Sequence, residues 1–519
     1  MLKIVQKQYW QRLLALYLCS ILLFWNLTPA IARADVEPKT PTGSIQPYLQ
    51  QVLSEISEFR LNNGMKFIIL ENHEAPTVSF VTYADVGGAN ETPGKTGAAH
   101  YLEHLAFKGT KKIGTVNYQQ EKALLELADR LFDEIKAAEK AGQKEKAAQL
   151  KAEFSKADDE AKQLAKQNEF GRIVETAGGV GLNASTSSDS TTYFYSFPSN
   201  KLELWMSLES ERFLEPVFRE FYKEREVIIE ERRMRTDNSP MGKLLEMFLG
   251  EAFDVHPYQY PVIGYEADIR NIERKDIQKF FQTYYTPSSL TFALVGDVNP
   301  QQVKQLAEVY FGRYQSGSKP PHVTAVEPPQ TKMKEVTLKY PSEPIYLEGY
   351  HMPELKNPEY PIYEVISALL SYGRTSRLYR SLVEQKQVAL AAEGFASFPG
   401  DKYANLLVVY ALSARDRTLD ELAQSIDTEL ERLKSEPVSA VELDRVKTQL
   451  KAELVRSLDS NLGMANLLAE YEAKTGDWRN VFKELDAIEA VTPADIQRIA
   501  KATFIPTNRT IARLISTEK

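Results

Sequence analysis

His100-Tyr101-Leu102-Glu103-His104 places two imidazoles and a carboxylate within five consecutive residues. On a helix, His100 and His104 stand one turn apart on the same face, so both rings can reach a single ion. Glu103 lies one turn beyond His100, near enough to address a water beside that ion without ligating it. Metal-assisted hydrolysis asks for this division. Two neutral imidazoles and a further carboxylate hold the metal, water takes the remaining position, and a separate carboxylate accepts its proton. Either histidine by itself reads as an ordinary helix residue. The chain has only six, so both falling at this spacing with the acid between them by chance is below about one in a hundred.

A third ligand has to come from elsewhere in the chain. Glu209 to Arg235 reads as one long helix containing Lys223-Glu224-Arg225-Glu226-Val227-Ile228-Ile229-Glu230-Glu231. Glu224 and Glu231 are seven residues apart and share a face, whereas Glu226 and Glu230 point elsewhere. Any of these acids also suits a solvated helix face, and spacing alone does not choose among them.

The elements that must position these groups follow from the surrounding pattern. A chain of 519 residues, 43% hydrophobic and 26% charged, is that of a soluble globular protein of roughly two to four domains. The net charge of -8 and the lack of a basic stretch argue against nucleic acid as a partner. Lys3, Lys7 and Arg12 precede an apolar run from Leu13 to Leu27, followed by Pro29 and Ala32-Arg33-Ala34. This reads as a signal peptide over residues 1–34, cleaved before Asp35, which predicts an exported, periplasmic or extracytoplasmic protein. An uncleaved membrane anchor is the rival reading. The sole cysteine, Cys19, lies in that run, so cleavage leaves only His and carboxylates as ligands.

Residues 35–58 read as a Pro-rich lead-in. From Phe59 the text is strand-like, through a turn at Asn62-Asn63-Gly64 and a second strand from Thr77 to Val86, with the motif helix starting near Thr96-Gly97. Residues 117–167 carry two apolar stripes, Leu124, Leu127, Leu131, Ile135, Ala138 and Leu150, Phe154, Ala157, Ala161, Leu164, on either side of Ala141-Gly142-Gln143. They read as a helical hairpin with a solvated outer face, inserted in an N-terminal domain spanning 59–315. Pro-rich residues 316–332 read as a linker to a second domain, 333–519. Asp276, Pro287 and Thr291 recur as Asp495, Pro506 and Thr510 at one offset of 219, each within a helix, aromatic-x-Pro, strand pattern. Three matches in register predict two duplicated α+β halves, the second without the metal motif.

The segment from Gly97 to Thr110 resembles the pitrilysin/insulinase family of zinc peptidases, which carries the H-x-x-E-H order, and in particular its mitochondrial-processing-peptidase-like bacterial branch. Leu182-Asn183-Ala184, the stretch Glu224 to Glu231, His256-Pro257-Tyr258 and Val295-Gly296-Asp297-Val298 follow in the family's order, so the resemblance spans nearly the whole chain after residue 34. It implies one zinc ion per chain held by His100, His104 and Glu231, with Glu103 as catalytic base and Glu224 touching and orienting a ligand. It further implies two homologous halves, each a mainly antiparallel sheet packed with helices, forming a clam-like unit. Asn183 and Ala184 would lie on an edge strand that binds extended substrate by strand addition. An ordinary sheet strand is the competing description of those two residues.

Two departures stand out. His104 to Glu231 spans 127 residues, longer than the family's usual interval, and setting the hairpin aside restores the spacing. Many members carry an Arg and a Tyr seven residues apart in the second half, contacting substrate and the developing oxyanion. In Leu382 to Leu390 those positions are Val383 and Leu390. The expectation is a zinc metalloendopeptidase for extended peptides or unfolded polypeptide segments. It would be the zinc-bearing subunit of a heterodimer with a homologous partner, or a homodimer. The alternative is a non-catalytic scaffold or chaperone-like member that retains the metal site.

Overall fold

The computed structural model describes residues 46–517, so the segment read as a signal peptide, and the lead-in as far as residue 45, lie outside the described residues. From Gln46 to Glu55 the chain is helical, and Ile56 already begins the first strand.

β1 (Ile56–Arg60), β2 (Lys66–Glu71), β3 (Thr77–Ala84), β4 (Val180–Thr186), β5 (Thr191–Pro198) and β6 (Leu290–Gly296) form one sheet in the order β1-β2-β6-β3-β5-β4. Its neighbours are antiparallel except for β2 and β6. β7 (Lys334–Tyr340), β8 (Ile345–Met352), β9 (Ala389–Phe398), β10 (Asn405–Ser413) and β11 (Arg509–Ser516) form the second in the order β7-β11-β8-β10-β9, with β7 and β11 its parallel pair. The second order is the first with β1 taken away. The repeat in the sequence is therefore a repeated sheet, and two of its three recurring residues have local causes. Asp276 and Asp495 each close a capping box at the third position of a helix, Arg274–Tyr284 and Pro493–Thr503. Pro287 and Pro506 each open a 3-10 turn that feeds the central strands β6 and β11.

β6 is buried along its whole length and β3 beyond Thr77, which marks a sheet covered on both faces. One face packs on the half's own helices, where Phe67, Phe80 and Phe292 meet Trp205, Phe221 and Ile277 in one core. The other face is covered by a helix of the opposite half, Asn461–Thr475, which lies against β3 and β6. The exchange is reciprocal. Helix Pro240–Ala252 of the first half lies on β7 and β11, with Leu244, Phe248 and Leu249 packed among Leu347, Val408 and Leu514. Both crossing helices start alike, the Ser239 hydroxyl accepting from the Gly242 amide and the Ser460 hydroxyl from the Gly463 amide. Separating the halves would expose an apolar face on each sheet, at about 1.5–3 kcal/mol per large side chain.

The stretch Glu209 to Arg235 is not one helix, contrary to the sequence reading. It divides into Leu202–Leu214 and Phe221–Arg232, followed by a π-helical turn over Arg233–Asp237. Pro216 has no amide to continue the first helix, and Glu220 enters the second with φ of 54°. Glu224 and Glu231 still share the second helix. Helices Tyr118–Lys140 and Lys144–Leu164 close on each other through Leu131, Ile135, Ala138, Ala147, Leu150 and Ala157. Their base is held by Arg219, which donates to Glu121 (2.7 Å) and to the carbonyls of Thr110 (2.7 Å) and Ile113 (3.0 Å). Between Tyr310 and Lys334 there is no helix or strand. This segment is pinned where the Glu327 carboxylate accepts from the amides of Asp254, Val255 and His256 at 2.7, 2.9 and 2.8 Å.

The crossing of helix Pro240–Ala252 over the second sheet is tight at Gly349, where an added Cβ would stand 2.6 Å from the Phe248 ring. Gly349→Ala is expected to cost about 1–3 kcal/mol in denaturant unfolding, with Phe248→Leu in the same chain recovering part of the loss.

Candidate metal centre

The motif helix, Ala98–Leu105, starts from Gly97, whose φ is 91° and where a Cβ would stand 2.7 Å from the Ile263 carbonyl oxygen. Only glycine meets both conditions without strain. The buried carboxylate of Glu91 accepts from the amides of Gly97 (2.8 Å) and Ala99 (2.7 Å), satisfying donors that a helix start leaves free. The Tyr101 hydroxyl donates to the Phe221 carbonyl, and the two rings stack at 4.7 Å, which fixes the motif helix against Phe221–Arg232. Past the helix end, Phe107 packs on the buried guanidinium of Arg212. That group also lies 4.3 Å from the Phe170 ring and 5.0 Å from Tyr193, with Glu209 3.2 Å away. The rotation of Phe221–Arg232 is set by Arg225, which donates to the Ile272 carbonyl, and by Arg232, which forks onto Glu246 and donates to the Gly264 carbonyl.

These contacts bring His100, His104 and Glu231 together, each offering one ligand atom, all within 4.8 Å of one another. His104 Nε2 lies 3.4 Å and His100 Nε2 3.7 Å from Glu231 Oε2. Donors about 2.0–2.2 Å from a tetrahedral zinc ion stand about 3.4 Å apart, which the two distances to Glu231 approach. His104 and Glu231 are also held from behind, whereas His100 Nδ1 is buried without a hydrogen-bond partner. Glu224 Oε2 lies 3.4 Å from His104 Nδ1, and its Oε1 pairs with Lys108 Nζ at 2.5 Å. Glu231 Oε1 pairs with Arg235 at 2.9 Å. The Thr186 hydroxyl donates to Glu103 Oε2. Glu226 and Glu230 stay exposed and outside the group. Asn183 and Ala184 lie on β4, at the open edge of the first sheet, and the Ala184 amide donates to its neighbour's Asn183 Oδ1 at 2.9 Å. Val383 packs on the second half's core from a π-helical turn, whereas Leu390 is 58% exposed on the edge strand β9.

Burial and charge poise the group. Burial, aided by the neighbouring His104, pushes His100 down to about 4, leaving it neutral near pH 7. Burial alone would also lower His104, but Glu224 and Glu231 outweigh it and lift that ring to about 9. Glu231 goes the other way, burial being overcome by His104, His100 and Arg235 to bring it to about 2. Glu224 is likewise held below the ordinary range, burial yielding to His104 and Lys108. Burial raises Glu103 above the ordinary range despite the Thr186 hydroxyl. Sequence reasoning missed Glu91, Lys108, Thr186 and Arg235. Lys108 and Arg235 each follow a predicted ligand by four residues, a spacing that was legible. Thr186 and Glu91 are placed by strand pairing and a loop, which leave no such trace.

The sequence matches the family description "Insulinase (Peptidase family M16)" over residues 66–130 and 134–266, and "Peptidase M16 inactive domain" over 271–450. A zinc protease of Helicobacter pylori, PqqE, is 30% identical over 478 residues, 89% of this chain and 93% of its own. The chain belongs to the insulinase family of peptidases. The family's mitochondrial-processing peptidase subunit beta from Lentinula edodes is 24% identical over 85% of this chain and 86% of its own. A protease crystal structure from Helicobacter pylori superposes with a TM-score of 0.75 at 28% identity, covering 89% of this chain and 99% of that one. The inactive-domain match begins at the end of the first half and lies mostly in the half without the histidine motif.

In the metal-free insulinase-family chain a proton on His104 competes with any ion up to pH about 9, because its pKa is raised rather than lowered. Apparent zinc affinity, measured by chelator competition, is therefore expected to rise about tenfold per pH unit from pH 7 and to level off above 9. Glu224→Gln removes one of the anions that retain this proton. It should move the levelling-off to lower pH while weakening plateau affinity about 10–100-fold.

Proposed function

We propose that this chain is a zinc-dependent endopeptidase acting on extended peptides or unfolded polypeptide segments. The carrying observation is the bond between Thr186 and Glu103. Thr186 ends the open edge strand β4, and Glu103 is the one acid of the motif left out of the ligand group. An extended chain pairing with β4 through main-chain hydrogen bonds would run directly past Glu103. Zinc held by His100, His104 and Glu231 would act as a Lewis acid on the scissile carbonyl and acidify water. Glu103, raised by burial, is suited to take the proton from the attacking water and hand it to the leaving amine. Asn183 and Ala184 would supply part of the pairing edge, the incoming strand replacing the Asn183 side chain at the Ala184 amide. Glu224 would orient His104 through its Nδ1.

The reading extends to export and to a partner. The apolar run and Ala32-Arg33-Ala34 support export with cleavage after Ala34. Val383 and Leu390 carry no donor for a developing oxyanion, which supports the zinc-bearing role in a heterodimer whose homologous partner provides one. Glu103→Gln is expected to retain one zinc per chain and lose about 10²–10⁴-fold in hydrolysis of an unfolded polypeptide. Absence of hydrolysis by the wild type in every setting would favour a scaffold. Co-expression with a homologue lacking the motif is expected to raise activity strongly. Full activity of the purified chain alone would contradict the need for a partner.

A further inference from the structure

A second polar site lies in the other half, away from the histidines. A cavity of about 500 Å³ opens where the π-helical turn Tyr379–Gln385 meets helices Leu419–Ser435 and Ala440–Asp459. Four guanidinium groups line it, Arg377, Arg380, Arg432 and Arg445, against two carboxylates, Glu429 and Glu442. Two of the arginines are committed. Arg377 forks onto Glu442 at 2.9 and 2.8 Å, and Arg432 reaches Glu429 at 3.0 Å and Glu436 at 3.1 Å. Arg380 and Arg445 form no ion pair among the described residues, although Arg445 does donate to the Thr375 hydroxyl. The Arg377 side chain is only 9% exposed, and its Nη1 is buried with no hydrogen-bond partner. Helix Ala440–Asp459 begins at the same cavity from Ser439, adding the positive end of its dipole.

We propose that this cavity binds a compact, soluble phosphate compound carrying at least two negative charges. With Arg377 on Glu442 and Arg432 on Glu429 and Glu436, the two lining cations left without a carboxylate are Arg380 and Arg445, and an oxyanion carrying two charges pairs with both. Guanidinium forks match phosphate oxygens in pairs, and a multiply charged phosphate can engage Arg380 and Arg445 together. The lining also selects by what it lacks. No ring is present to stack a base, and Val441 is its one apolar side chain, so neither a nucleoside nor an acyl chain finds a surface. The volume exceeds what a single orthophosphate fills, which favours a di- or triphosphate or a phosphorylated polyol. The site is independent of the zinc reading, since it shares no residue with the metal group.

The test is calorimetric titration of the full chain with tripolyphosphate and, separately, with inorganic phosphate at low salt. The proposal expects saturable one-to-one binding of tripolyphosphate, tighter than that of phosphate. It further expects binding to weaken by about tenfold or more in Arg380→Ala with Arg445→Ala. A charge-matched control, Arg130→Ala with Arg415→Ala, should bind as the wild type does. Circular dichroism melts of each variant establish that the fold is retained, which the surface positions of Arg380, Arg130 and Arg415 favour. Equal weakening in the control, or no saturable binding at millimolar tripolyphosphate, would overturn it.

Discussion

The His104 ring is gripped from both nitrogens by one helix, Glu224 beside Nδ1 and Glu231 beside Nε2, each at 3.4 Å. Two acids seven residues apart reach opposite sides of one ring only if the helix Phe221–Arg232 crosses the motif helix at one height and one rotation. A residue's slip along either helix turns the carboxylates by about 100° and dissolves the group. Much of the surrounding structure can be understood as fixing that crossing. Tyr101 bonds and stacks on Phe221 at one end, Arg225 is tied to Ile272 in the middle, and Arg232 is forked onto Glu246 at the other end.

Glu246 belongs to the helix that crosses to the second half. The metal group is thereby linked to the exchange of helices between the sheets. Arg232 joins the carboxylate helix to Pro240–Ala252, which is itself clamped on β7 and β11, while Asn461–Thr475 covers β3 and β6 in return. The half without the motif thus serves the half with it by burying the second face of its sheet. That gives the half without the histidine motif a structural role. Burial also has a chemical effect on the motif helix, where withdrawal from water neutralises His100 and raises Glu103.

Legibility in the sequence followed locality. His100, Glu103 and His104 were readable because a helix turn alone relates them. Asp276 and Asp495, Pro287 and Pro506 announced the duplication because capping boxes and turn prolines keep fixed positions. Glu231 was one of several acids on spacing and was singled out by family resemblance. The structure groups Glu231 with His100 and His104 and leaves Glu226 and Glu230 exposed. The long helix from Glu209 failed at Pro216, a breaker that the run of charged residues masked. In the hairpin Leu131, Ile135 and Ala138 are buried as the stripe predicts, but toward the base Leu125 and Ala128 are buried more deeply than Leu124 and Leu127, Ala128 joining the domain core and Leu125 packing with Val217 and the partner helix's Ala161. The exchange of helices between sheets left no local mark, being a matter of tertiary connection.

The central claim, that two imidazoles and Glu231 hold a zinc ion, is most directly tested by zinc K-edge X-ray absorption on the purified full chain loaded with one equivalent of metal. The account predicts four light-atom neighbours at about 2.0–2.1 Å, with the multiple-scattering signature of two imidazoles and no sulfur. A shell with fewer than two imidazoles, or an unchanged spectrum in Glu231→Gln, would contradict it.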